Sequence, residues 1–211
     1  MNSRSCLFLI LSTLSSQLCF GQDRPGQDTR SGPPVHSTPP VTQNTEANPK
    51  SWKEFTSQDG FFTVLLPGTP VKQLQQAGSP TGPVDYFAYT LQTEAHSYYV
   101  AFIDFPEVPN DARGIRKILD GARDGAIATI NGTLVSEQDL SLKGMPGRAM
   151  TVEGPSQVLK ARIYLAELRL YLLMIVASKT PAPTPEAGIL DNATVEKFLG
   201  SFKLMSRKKL K

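Results

Sequence analysis

Few side chains in this 211-residue sequence can do chemistry, and their spacing limits what they can do. The two histidines are His36 and His96; the two cysteines, Cys6 and Cys19, both fall within the first twenty residues. A zinc site needs three or four nitrogen, sulfur or oxygen ligands, and a nucleophilic triad needs a histidine between nucleophile and acid. His96 stands beside Ser97 at the start of a predicted strand, with no cysteine to join it, and reads as an ordinary half-exposed strand residue. The pattern predicts no metal centre, no cofactor and no catalytic triad, and no glycine-rich phosphate loop is present. Carboxylates remain. Asp104 with Glu107 and Asp120 with Asp124 are the closest pairs. Two carboxylates can run glycoside hydrolysis, which keeps a carboxylate-dependent hydrolase as the alternative function. The second pair lies one helical turn apart beside Arg116 and Arg123, where opposite charges favour a solvated salt-bridge face.

The other candidates bind rather than react. Arg148 follows Pro146-Gly147 in a predicted turn that would aim it at an anion, and Arg162, Tyr164, Arg169 and Tyr171 stand on two predicted neighbouring strands. Arginine and tyrosine are enriched where binding energy concentrates, so these five are the candidate contacts for an acidic or planar partner. The plainer alternative is that they edge the core or pack beneath helices. Asn131-Gly132-Thr133 and Asn192-Ala193-Thr194 match a glycosylation sequon, but both fall at predicted helix ends, where asparagine is expected for capping.

The elements that must position these residues read as strands first. Residues 51–57 and 61–66 (FFTVLL) flank the Asp59-Gly60 turn signal, and 71–76 extends again after Pro67-Gly68-Thr69-Pro70. Residues 84–92 and 96–105 have the β-branched and aromatic content of a hairpin. Asn110 or Asp111 caps a helix to about Ile130, with Ile115, Ile118, Leu119, Ala122 and Ala126 forming one apolar stripe. Gly114, Gly121 and Gly125 weaken that helix, so it depends on packing against a sheet. Strands at 133–142, 147–153, 157–165 and 169–178 follow. The last (RLYLLMIVAS) is apolar on both alternating faces, which a strand tolerates only when both sides of the sheet are covered, so it belongs mid-sheet. A helix capped by Asp191 or Asn192 runs through Leu199, and 201–205 returns as a short strand.

Outside this domain, at 51–206, the chain changes character. Arg4 precedes the apolar run at 6–14, which is too short to span a membrane. With small residues at Cys19 and Gly21, residues 1–21 read as a secretory signal peptide cleaved after Gly21; lipidation at Cys19 is the less favoured reading, since Leu18 and Ser16 do not suit it. Residues 22–50 hold six prolines and only Val35 and Val41 as large aliphatics, the composition of a disordered linker. Residues 207–211 form a basic tail. The mature chain is then exported and cysteine-free, which fits a bacterial periplasm or cell exterior and a domain held by its core. The formal charge of +3 comes from the ends, with four basic residues in the last five; no basic footprint marks a nucleic-acid binder.

This order of elements resembles the PsbP-like α/β/α sandwich, shared by the extrinsic PsbP subunit of photosystem II, the Ran-binding Mog protein and exported bacterial proteins. The resemblance rests on residues 62–70 (FTVLLPGTP), Met145-Pro146-Gly147-Arg148, residues 161–165 with 169–171, and residues 198–204 (FLGSFKL), and it spans nearly all of 51–205. Ala166-Glu167-Leu168 departs from it, lacking the glycine or asparagine of a tight turn. The resemblance implies an α/β (α+β) fold with a mostly antiparallel sheet flanked by helices and a non-enzymatic accessory or binding role, and it carries over no catalytic residue. The expected function is an exported binding or accessory domain acting on an envelope protein or cell-surface component, against the hydrolase and, third, a purely structural stalked domain. The secreted protein should have the intact mass of a chain beginning at Gln22; a diacylated Cys19 at the N-terminus would overturn that expectation.

Overall fold

The computed structural model describes residues 52–79, 82–109, 111–179 and 190–205. The expected signal peptide, linker, basic tail and His36 lie outside the described residues. All twelve predicted strands and helices are present, most with shifted ends: β1 Lys53–Ser57, β2 Phe62–Leu66, β3 Val71–Ser79, β4 Gly82–Gln92, β5 His96–Asp104, α1 Ala112–Thr129, β6 Thr133–Leu142, β7 Met145–Glu153, β8 Gln157–Ala166, β9 Arg169–Ser178, α2 Asn192–Leu199 and β10 Lys203–Leu204.

Seven strands form one antiparallel sheet in the order β3-β4-β5-β9-β8-β7-β6, and β1-β2-β10 form a second, small sheet. As its two apolar faces require, β9 is the central strand, with β5 on one side and β8 on the other. One face of the large sheet buries Tyr99, Ala101, Ile163 and Leu172 against Ile118, Leu119, Ala122 and Ala126 of α1. The opposite face buries Val100, Leu173 and Ile175 against Phe62 and Val64 of the small sheet and Val195, Phe198 and Leu199 of α2. The expectation of a sheet flanked by helices therefore holds only in part. The fold is dominated by its sheets, because the second face is covered jointly by β1, β2, β10 and one short helix.

Local chemistry sets the ends of the elements. Asp111 caps α1 by accepting from Gly114 N at 2.8 Å, and Asp191 caps α2 by accepting from Thr194 N at 2.8 Å. The Thr194 hydroxyl and backbone hold the Asp191 carboxyl below its ordinary range. The β6–β7 turn is shorter than the sequence suggests. Leu142 pairs with Met145 around Lys143 (φ 52°) and Gly144 (φ 83°), the doubly positive pair that suits the twist of a two-residue hairpin, so β7 begins two residues early. The β8–β9 turn is equally tight. Ala166 pairs with Arg169, and Glu167 takes φ 54° without being glycine.

Gly147, opposite Tyr164, shows how closely β7 and β8 approach. A Cβ there would lie 2.5 Å from the Ile163 carbonyl oxygen and 2.5 Å from Tyr164 Cδ1. Backbone cannot yield as a flexible side chain does, so Gly147→Ala should destabilise the domain by about 2 kcal/mol or more, read as a lower midpoint in urea with unchanged slope.

Candidate functional site

The five candidate residues do not form one exposed surface. Arg148 faces α1, whereas Arg162, Tyr164, Arg169 and Tyr171 lie on the opposite face, under the small sheet and α2. Arg148, Tyr164, Arg169 and Tyr171 are buried. The physical reason is coverage. A strand residue is exposed only where nothing packs on its face, and both faces of β8 and β9 are packed.

Arg169 begins β9 opposite Asp104, the last residue of β5. Its Nε and Nη2 donate to the two Asp104 carboxylate oxygens, each at 2.5 Å, and Nη1 donates to the Asp59 carbonyl oxygen at 2.7 Å. The guanidinium also lies 4.4 Å from the centroid of the Phe102 ring. Two residues along, the Tyr171 hydroxyl donates to the Gly60 carbonyl oxygen at 2.8 Å. Nearby, Ser57 Oγ accepts from Gly60 N and shares a 2.8 Å hydrogen bond with the Tyr89 hydroxyl. The β1–β2 turn is thus fastened to the large sheet by three polar side chains. Arg162 instead holds α2, with Nη2 donating to Glu196 Oε1 and Oε2 at 2.6 and 2.8 Å, while Tyr164 stacks on Phe202 at 5.7 Å. Burial raises the Tyr164 hydroxyl above its ordinary pKa.

The second carboxylate pair is an ion-pair cluster at the rim. Arg123 joins Asp120 (3.2 Å) to Asp124 (2.8 Å), as the helical spacing suggests. Sequence reading missed the other half. Arg148 Nη1, from β7, lies 2.6 Å from Asp120 Oδ1 and 2.8 Å from Glu137 Oε1 of β6, and Arg148 Nε is buried without a hydrogen-bond partner among the described residues. One detectable signal existed: the hairpin register sets Asp139 opposite Arg148. As general acid or base, a carboxylate needs an oxygen free to reach substrate; Asp120 Oδ1 is shared by two guanidiniums and Asp104 by a fork. Glu107 is exposed. No group of three or more histidine, cysteine or carboxylate side chains among the described residues is placed to hold a metal ion.

His96 is buried, not half-exposed, because β5 is paired on both sides and the preceding turn closes over it. Thr93 Oγ1 accepts from His96 N at 2.9 Å, and the ring meets Tyr98 edge-on at 6.2 Å.

An apolar depression of about 350 Å³ lies where the β6–β7 turn, the β8–β9 turn and the first turn of α1 meet. Val108, Ile115, Met145, Pro146, Leu165 and Leu168 line it with Glu167 as the charged member, and Leu168 is 47% exposed. Sequence reading did not find it, since its walls come from four separate stretches of chain.

No protein-family profile and no curated protein matches the sequence. Among solved structures, the chain is similar to cyanobacterial PsbP (CyanoP) from Synechocystis, with a TM-score of 0.50 and 10% identity over 73% of this chain and 92% of that one. A protein of unknown function from Pseudomonas aeruginosa described as a putative regulator aligns at a TM-score of 0.29, with 11% identity over 64% of this chain and 85% of that one. The first likeness shows a PsbP-like fold.

Removing either partner of the Arg169–Asp104 fork has unequal consequences. The Asp104 side chain is 55% exposed and can return to water, while that of Arg169 is 8% exposed and cannot. Asp104→Ala, which leaves a buried guanidinium short of its counter-ion, should cost about 2–4 kcal/mol, and Arg169→Met, which keeps the packing, should cost less. Paired denaturation curves measure the difference; a larger loss in Arg169→Met would refute it.

Proposed function

We infer that this chain is an exported, non-catalytic binding or accessory domain acting at the cell envelope, its single α/β domain carried on residues 22–50 after removal of residues 1–21. The observation that carries the reading is the shallow apolar depression at the turn end of the sheet, with Leu168 half in water beside it. A concave apolar site of this size suits one apolar group of a partner. Of the four carboxylates that would serve a hydrolase, Asp104, Asp120 and Asp124 are instead tied to Arg169, Arg148 and Arg123. The PsbP-like fold supports an accessory role by resemblance. No helix among the described residues is long and apolar enough to cross a membrane.

Two measurements test this together. The purified protein should show no turnover on ester, peptide, phosphate or glycoside panels, and turnover abolished by Asp120→Asn or Asp104→Asn would establish the hydrolase instead. Binding to the envelope fraction of the producing cell should fall several-fold in Leu168→Asp, a substitution at an exposed turn that leaves the core intact. Equal retention of the two proteins would sink the assignment of the depression as the contact.

A further inference from the structure

Open sheet edges invite pairing with another strand, and proteins usually blunt them with charge, proline, bulges or brevity. The two ends of the large sheet differ sharply in this respect. At one end, β6 carries Glu137 and Asp139 and has a register shift between Leu134 and Ser136. At the other, β3 runs nine residues in unbroken register with β4, from Val71 opposite Thr90 to Ser79 opposite Gly82, without proline or bulge. The one charged residue on β3, Lys72, is held by Asp59 of its own chain. Val71 and Leu74 are 61% and 62% exposed, two of the most exposed large apolar residues described. Among the described residues no strand pairs with the outer edge of β3.

The sequence of β3 says what fits there. Residues 71–77, Val-Lys-Gln-Leu-Gln-Gln-Ala, are quasi-palindromic about Leu74. Antiparallel pairing of β3 with itself around that residue sets Leu74 against Leu74, Gln73 against Gln75, Lys72 against Gln76 and Val71 against Ala77. Leucine meets leucine, amide meets amide, and Lys72 meets the amide of Gln76, with no like charges directly opposite. The two lysines fall four residues apart along the strands, roughly 13 Å at about 3.3 Å per residue, beyond the screening length of about 10 Å at 0.1 M salt. A two-fold axis requires that one patch complement itself, and this strand does.

We propose that the outer edge of β3 is a homodimer interface, in which two copies of the chain pair their β3 strands antiparallel about Leu74 and join their large sheets into one. A contact of one strand per copy is small, so the dimer is weak and forms at high local concentration.

Sedimentation equilibrium of the full chain, from micromolar loading towards millimolar, tests this. The weight-average mass should rise towards that of two chains. Leu74→Lys, which sets two like charges directly opposite at an exposed position, should weaken association about tenfold or more. An equimolar mixture of Leu74→Lys with Leu74→Asp should restore it, which a merely misfolded variant would not do. Association that is equal in wild type and Leu74→Lys would overturn the proposal. So would a single-chain mass at every loading. In that case hydrogen exchange separates the other occupants: protected outward amides on β3 would place a segment of the same chain on the edge, and unprotected ones would leave it to a different partner.

Discussion

A buried guanidinium bridges the two sheets. Apolar packing alone would let the small sheet slide across the aromatic floor of the large one, since dispersion and burial have little directionality. Arg169 removes that freedom. Its fork fixes the end of β5 against the start of β9, and its remaining nitrogen fixes the β1–β2 turn above them. Tyr171 repeats the fastening at Gly60. With those points set, Phe62 drops between Tyr89, Tyr171 and Phe202, and the layer closes.

On the other face the constraint is looser. The stripe on α1 packs on β7 and β8 through small contacts, with Ala122 and Ala126 letting the helix approach closely. Its orientation is fixed at the rim by Arg123 and Arg148, which gather carboxylates from α1 and β6 around two positive charges. Such a half-exposed cluster adds little energy per pair, but it has one geometry, and so settles how the helix lies. The same carboxylates that in sequence suggested catalysis therefore act as fasteners.

Much of the architecture was legible in the residues. Two apolar faces on 169–178 placed β9 mid-sheet, capping aspartates marked α1 and α2, and turn signals separated most strands, because these are local properties of the chain. Legibility failed where a residue's environment is set by segments far away. Arg148 looked like a turn residue aimed outward, yet its partner Asp120 is 28 residues earlier. Tyr164 and Tyr171 stood among the candidate contacts for a partner, and it is residues 52–66 and 202–204, distant in sequence, that cover them. The tight β8–β9 hairpin was hidden for the opposite reason: Glu167 adopts a backbone conformation its residue type disfavours, so local preference misled.

The late position of the central strand governs how this chain acquires its structure. Until residues 169–178 are available, β3-β4-β5 and β6-β7-β8 are two separate half-sheets, each with an inner edge waiting for a strand that the chain supplies near its end. Contacts such as that of Asp59 with Arg169 close across 110 residues, and closing such distances makes folding slow and concerted. A chain halted short of β9 would thus expose two unsatisfied edges and the apolar faces behind them, the form in which strand-rich proteins aggregate.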